Sequence, residues 1–126
     1  ICICISIYIY IYIYIYMQGN RLHDLPHVIG TLHLLKDLNL QANRLARIQG
    51  SIGSLKKLRS LNLKSNQLVS LSPAIGNLGA LRKLDLSNNT RLKTLPREIC
   101  QLNVDVEIVC TGNRHLMQMV RWPLDL

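Results

Sequence analysis

The stretch LKDLNLQANRL, Leu35 to Leu45, returns as LRSLNLKSNQL from Leu58 to Leu68 and again as LRKLDLSNNTRL from Leu81 to Leu92. Both offsets are 23 residues. Run backward, the register puts Tyr12, Ile15, Met17, Asn20 and Leu22 on the pattern LxxLxLxxNxL. Run forward past one inserted residue, it puts Ile108, Cys110, Asn113 and Leu116 there. A second ladder fills the other half of each period: Leu25, Ile48, Leu71 and Leu95, then Ile29, Ile52, Ile75 and Ile99, then Leu32, Leu55, Leu78 and Leu102. Gly30, Gly53 and Gly76 follow the isoleucines directly, with Cys100 in that place in the fourth copy, and Met119 and Leu126 keep the register in the last. Self-similarity at such a period marks a repeat architecture. The units expected are 12–34, 35–57, 58–80, 81–104 and 105–126.

The pattern carries its own physics. In LxL the period-two rule turns Leu38 and Leu40 to one side of a short strand and Asn39 to the other. Strands of successive repeats then stack about 4.8 Å apart. After each strand the chain must bend, and Asn20, Asn43, Asn66, Asn89 and Asn113 fall at that bend, where an amide bonds backbone groups the turn leaves unpaired. The return path, such as LPREICQL from Leu95 to Leu102, is too short for more than two helical turns. The predicted fold is therefore an α/β solenoid of about five coils, with a parallel sheet on the concave face and short helical or 3-10 return segments. Its apolar filling runs along the axis, each inward leucine contributing roughly 1.5 to 3 kcal/mol.

Composition narrows the function. A chain of 126 residues that is 48% hydrophobic is one domain or a short repeat array, neither a disordered chain nor a multidomain enzyme. All five tyrosines lie in the first sixteen positions, Phe is absent, and residues 17–121 hold no Phe, Tyr or Trp. Proteins that hold single-stranded nucleic acid stack its bases on aromatic rings, so the formal charge of +8 does not point to such a partner. Cys2, Cys4, Cys100 and Cys110 match neither a disulfide framework nor a zinc spacing, which predicts a reducing compartment and no disulfide.

Residues 1–17 read ICICISIYIYIYIYIYM, with Ile at every odd position through Ile15. Alternating AT in DNA translates as alternating Ile and Tyr, and residues 1–11 are read as a low-complexity tract of that origin. A membrane span is the rival reading, since a helix across a bilayer needs about 17 to 25 apolar residues. No basic leader, small-residue cleavage site or preceding Lys or Arg supports it, and the β-branched and aromatic composition favours strand. No membrane or targeting role is expected.

Catalytic chemistry is not apparent. His23, His27 and His33 cluster in the first return segment, but a Leu-Pro turn separates the first two where a metal site wants convergent spacing. Cys110 falls on an inward position and reads as a buried thiol acting as a small apolar residue, and Cys100 as structural, with no base placed beside it. Phosphate-cradling loops are absent, and the periodic glycines read as close packing points. No catalytic residue, cofactor or metal is expected.

The variant LxxLPxxIGxL, nearly whole in LHDLPHVIGTL (Leu22 to Leu32) and LKTLPREICQL (Leu92 to Leu102), resembles the leucine-rich repeat family. Within it the chain is most similar to intracellular Ras-binding scaffolds and their plant Ras-group relatives, over everything except roughly the first eleven residues. Gln49 and Ser72 stand where the proline is expected, and Asp105 occupies an otherwise apolar first position. The LxGxIP element of plant receptor ectodomains and the cysteine-rich caps of secreted members are missing. The resemblance thus implies a cytoplasmic protein-interaction module, a fragment of a signalling scaffold, with partners such as small GTPases or phosphatase subunits. Two alternatives stand beside it: the recognition arm of a kinase, phosphatase or ubiquitin ligase whose catalytic domain lies outside this chain, or a gene-model fragment without function.

In this family the outward strand positions form the concave ligand-binding face. Here its columns are Lys36, Arg59 and Arg82, then Asp37, Ser60 and Lys83, then Asn39, Asn62 and Asp85. Two more hold Gln41, Lys64 and Ser87, and Ala42, Ser65 and Asn88. Three stacked cations in the first column admit two readings, solvated flanks relieved by Asp37 and Asp85, or an acidic protein surface docked on Lys36, Arg59, Arg82, Lys83 and Lys64.

Overall fold

Each of the first four periods lays down one three-residue strand and one five-residue 3-10 helix. The protein's structure, a computed structural model, describes residues 14–119. The tract at 1–11, Tyr12 and the in-register Leu126 lie outside the described residues. The strands are β1 (Tyr14–Tyr16), β2 (Asp37–Asn39), β3 (Ser60–Asn62), β4 (Lys83–Asp85) and β5 (Glu107–Val109). Between them run 3-10 helices at His27–Thr31, Gly50–Ser54, Pro73–Asn77 and Arg97–Gln101, and an α-helix, Arg114–Met119, follows β5. Nearest-neighbour pairing is parallel throughout, in the order β1-β2-β3-β4-β5. Ile15, Leu38, Leu61, Leu84 and Ile108 stand opposite one another across it. The predicted solenoid is thus present, its return segments 3-10 helices closed by tight backbone bonds such as Leu55 N to Ile52 O at 3.1 Å.

The core is the ladder of leucines and isoleucines read from the repeat, with Leu35, Leu40, Leu45, Leu58, Leu61, Leu63 and Leu68 fully enclosed. Toward the last coil the filling thins: Leu95, Ile99 and Ile108 are only half-buried. Cys110 shares that position and is half-buried against the core, not enclosed as the sequence predicted.

Glycine is required where one return segment lies on the next. A Cβ on Gly30 would stand 2.7 Å from the Ser51 carbonyl oxygen, and one on Gly53 2.9 Å from that of Ala74. Both clashes are with backbone, which cannot step aside. Cys100 takes the glycine place on the last 3-10 helix, and it is exposed.

The missing prolines are replaced locally. Gln49 and Ser72 precede their helices in the same extended conformation as Pro26 and Pro96, with φ of −76°, −63°, −66° and −66° in that order. Ser72 Oγ accepts the Ala74 amide at 3.2 Å. Gln49 Nε2 donates to Asp24 Oδ2 of the preceding coil at 2.9 Å, while its Oε1 is buried without a partner. Asp105 is accommodated by a one-residue delay. The turn that closes earlier coils as Leu81 N to Leu78 O is made here by Val106 N to Asn103 O at 3.1 Å, so Val106 packs on the core and Asp105 is exposed.

Candidate protein-binding face and the ladder behind it

The bend asparagines hold the coils to one another. Asn66 Nδ2 donates to Leu40 O of the preceding coil at 2.9 Å and to Leu63 O of its own at 3.0 Å, and its Oδ1 accepts the Leu45 amide at 3.1 Å. Asn43 does the same with Met17 O, Leu40 O and the Leu22 amide, and Asn89 with Leu63 O, Leu86 O and the Leu68 amide. The carbonyls are shared between neighbouring rungs, Leu40 O by Asn43 and Asn66, Leu63 O by Asn66 and Asn89 and Leu86 O by Asn89 and Asn113, while each of the Leu22, Leu45 and Leu68 amides has one asparagine as its acceptor. The two ends differ from the middle: Asn20 is exposed, and Asn113 Oδ1 is buried without a partner.

Just before each asparagine the chain passes through the left-handed region, with φ of +70° at Gly19, +57° at Ala42, +56° at Ser65, +57° at Asn88 and +79° at Gly112. The outward column Asn39, Asn62 and Asp85 sets up this bend. Each Oδ1 accepts the amide two residues ahead, of Gln41, Lys64 and Ser87, at 3.0 Å. Such a bond pulls the strand into the turn. These three candidate site residues therefore carry a structural task that sequence reasoning missed, although an acid or amide with a partner two residues ahead was a signal for it.

The remaining candidates are brought together on the open side of the sheet. Backbone bonds from Arg59 N to Lys36 O at 2.7 Å and from Arg82 N to Arg59 O at 2.8 Å make the three basic residues direct neighbours. Asp37, Ser60 and Lys83 pair across β2, β3 and β4, and Lys64 lies beyond the strand end. Arg59, Arg82 and Lys83 are exposed; Lys36, Asp37 and Lys64 are half-buried. One feature was not read from the sequence at all. Tyr14 and Tyr16 stand in register with Asp37 and Asn39 on this same side, 54% and 62% exposed, their rings stacked with centroids 6.4 Å apart. The signal was available, since placing Ile15 inward turns its two neighbours outward, but the columns of the face were drawn only from Lys36 onward.

Elsewhere the chemistry is sparse. His23, His27 and His33 are all exposed, and among the described residues no group of three His, Cys, Asp or Glu is placed to hold a metal. Burial raises the Cys110 thiol above its ordinary value, with Asp85 adding to the effect. Among the described residues no helix is long and apolar enough to cross a membrane.

Family models for leucine-rich repeats match residues 13–68, 33–90 and 80–102. The chain belongs to the leucine-rich repeat family. Among solved structures it is similar to a leucine-rich repeat protein of Leptospira interrogans, 37% identical with a TM-score of 0.74 over 79% of this chain and 25% of that one. It is also similar to the ectodomain of the receptor kinase SOBIR1 from Arabidopsis thaliana, at 29% identity and a TM-score of 0.67 over 81% and 56%. A third likeness is to the leucine-rich repeat domain of the type III effector XopL, at 27% and 0.56 over 79% and 41%. No curated protein matches it. This leucine-rich repeat chain thus spans a quarter to about half the length of those proteins, and its fold is in general a protein-interaction module.

Proposed function

We propose that this leucine-rich repeat chain is the protein-binding part of a cytoplasmic signalling scaffold, and that its partner presents an acidic surface to the open face of the sheet. The carrying observation is the column Lys36, Arg59 and Arg82. Three cations are held side by side by backbone bonds that the fold makes regardless of side chain, two of them exposed. Among the described residues the cationic head group that finds a hydrogen bond is that of Lys56, to Asn77 O at 3.1 Å; those of the column are left for a partner. Charged hydrogen bonds near the centre of an interface are the strong ones, and Arg59 and Arg82 lie in the middle coils. The stacked tyrosines at one end of the face supply rigid apolar area, the usual companion of such contacts. A small GTPase is the partner class implied by the scaffold resemblance.

The test is a binding comparison of the parent with an Arg59→Glu, Arg82→Glu double variant, using Arg97→Glu on the return side as control. Lys56 is unsuited as a control because it ties two coils together. Charge reversal on the sheet is expected to abolish partner recovery from a cell extract while the control retains it. Equal recovery by parent and double variant would remove the sheet face from consideration. A second reading, the recognition arm of an enzyme, draws support from the likeness to a receptor-kinase ectodomain. A longer transcript encoding a catalytic domain in frame would decide for it.

A further inference from the structure

The sheet face holds five cations, Lys36, Arg59, Lys64, Arg82 and Lys83, against three acids, Asp37, Asp85 and Glu107. A different surface has a stronger excess. The segments that follow Asn20, Asn43 and Asn66 are stapled side by side along one lateral edge, by Arg44 N to Leu22 O at 2.8 Å, Gln67 N to Leu45 O at 3.0 Å and Val69 N to Ala46 O at 3.0 Å, and the next coil is tied on by the Leu68 amide donating to Asn89 Oδ1 at 3.2 Å. Within them Leu45, Leu68 and Leu92 are buried, and the residues on either side of each point to solvent. The outward places hold Arg21, Arg44, Arg47, Arg91, Lys93 and Arg114, all exposed. Among the described residues of these segments the acid is Asp24, and both its carboxylate oxygens already accept hydrogen bonds, from Gln49 Nε2 and from the Leu25 amide.

The cations are not spread evenly. Arg44 and Arg47 stand on one side and Arg91 and Lys93 on the other of an apolar centre formed by exposed Ala46 and by Val69, which is 48% exposed. The backbone bond between those two residues puts them on adjacent coils. The inserted residue in Asn89-Thr90-Arg91-Leu92 turns the chain back on itself there, with Leu92 N on Asn89 O at 2.9 Å, so Arg91 sits on an exposed turn beside the patch.

We infer that this lateral edge is a second docking surface, separate from the sheet face, and that it takes an extended acidic segment of another protein carrying an apolar side chain between its acids. An apolar centre inside a charged rim is the anatomy of a protein interface. A strand of nucleic acid would want aromatic platforms, which the edge lacks. A membrane surface would want a broad apolar face, and one valine with one alanine is too small for that.

The experiment uses the whole chain and a fluorescein-labelled twelve-residue peptide of glutamates around one central leucine, read by fluorescence anisotropy. Its glutamine analogue, phosphatidylserine vesicles and oligothymidylate serve as comparison probes. Saturable binding of the glutamate peptide is expected, at least tenfold tighter than that of the glutamine analogue and weakening with salt. An Arg44→Glu, Arg91→Glu double variant is expected to lose at least tenfold. Val69→Ser is expected to lose about threefold with the salt slope unchanged, since it removes only the apolar contact. The Arg59→Glu, Arg82→Glu variant on the sheet is expected to bind within twofold of the parent, which separates this surface from the one proposed above. Absence of saturation, an unaffected lateral variant, or loss in the sheet variant instead would each overturn the inference. Tighter capture of vesicles or oligothymidylate than of the peptide would overturn it too.

Discussion

The Leu92 amide donates to Asn89 O at 2.9 Å, where the matching amides of Leu22, Leu45 and Leu68 donate to the asparagine of the next coil. Asn113, the residue it would otherwise reach, keeps a buried Oδ1 with no partner. A single inserted residue accounts for both facts. Asn89 is followed by Leu92 three positions on, whereas Asn43 and Asn66 are followed by Leu45 and Leu68 after two. The extra residue needs a turn of its own, and that turn takes the amide.

Asn66→Ala and Asn113→Ala are therefore expected to differ. The first leaves the buried Leu45 amide unpaired and takes one of two asparagine donors from Leu40 O and from Leu63 O, and should cost about 2 to 3 kcal/mol; the second orphans no amide, taking the Asn113 donor from Cys110 O and one of two from Leu86 O, and should cost about 1 kcal/mol. Urea melts of both variants measure the gap. Equal losses would mean that the Asn113 carbonyl finds a partner in solution.

Deleting Thr90 restores the shorter spacing and frees the Leu92 amide for Asn113 Oδ1. Satisfying a buried acceptor in this way is expected to stabilise the protein by about 1 kcal/mol. An upward shift of the urea midpoint at unchanged slope is the signature to look for. A downward shift would show that the turn at Thr90 and Arg91 is itself stabilising.

Much of this was legible in advance, and the residues show why. Leu38, Leu61 and Leu84 obey the period-two rule because one side of each strand is enclosed, so burial leaves no choice of register. The asparagine column was legible because few side chains can donate twice and accept once at a bend. Other features depend on who sits next to whom across coils. The diversion of Leu92, the delay that exposes Asp105 in favour of Val106, and the pairing of Gln49 with Asp24 all join residues from different coils or registers. On the candidate face Lys36, Arg59 and Arg82 are neighbours because they share one repeat position, while the bonding of Asn39, Asn62 and Asp85 to their own turns and the place of Tyr14 and Tyr16 do not follow from the leucine pattern alone.

The left-handed column offers a test with two signs. Ala42 and Ser65 adopt φ near +57°, which an L side chain resists by roughly 1 to 2 kcal/mol, and glycine stands at the matching Gly19 and Gly112. Ala42→Gly is expected to stabilise by about 0.5 kcal/mol, the relief of strain being partly offset by the freer unfolded chain. Gly112→Ala is expected to destabilise, because its φ is +79° and a new Cβ would run into the Asn88 side chain. Thermal melts of the pair should move in opposite directions. If both fall, the column is held by something other than backbone preference.

The two described cysteines give the last test, a chemical one. Cys100 is exposed, whereas the Cys110 thiol is half-buried, and burial followed by the nearby Asp85 carboxylate raises its ionisation above the ordinary thiol value. Alkylation proceeds through the thiolate, so in the folded protein near pH 8 iodoacetamide is expected to modify Cys100 well before Cys110. Linkage gives the accompanying pH effect. A thiol whose folded value is raised favours the fold while both states are protonated, and that preference is lost as pH climbs through the unfolded value toward the folded one. Stability should thus fall slightly on the alkaline side, and Cys110→Ser should flatten that part of the profile. Asp85→Asn removes the smaller of the two causes and is expected to speed labelling of Cys110 without equalising it with Cys100. Peptide mass spectrometry after timed labelling compares the parent with Asp85→Asn, and urea melts across pH compare it with Cys110→Ser. Equal rates for the two cysteines in the parent would show that the last coil opens far more readily than the packing of Cys110 on the leucine core and the bond from Asn113 Nδ2 to Cys110 O imply.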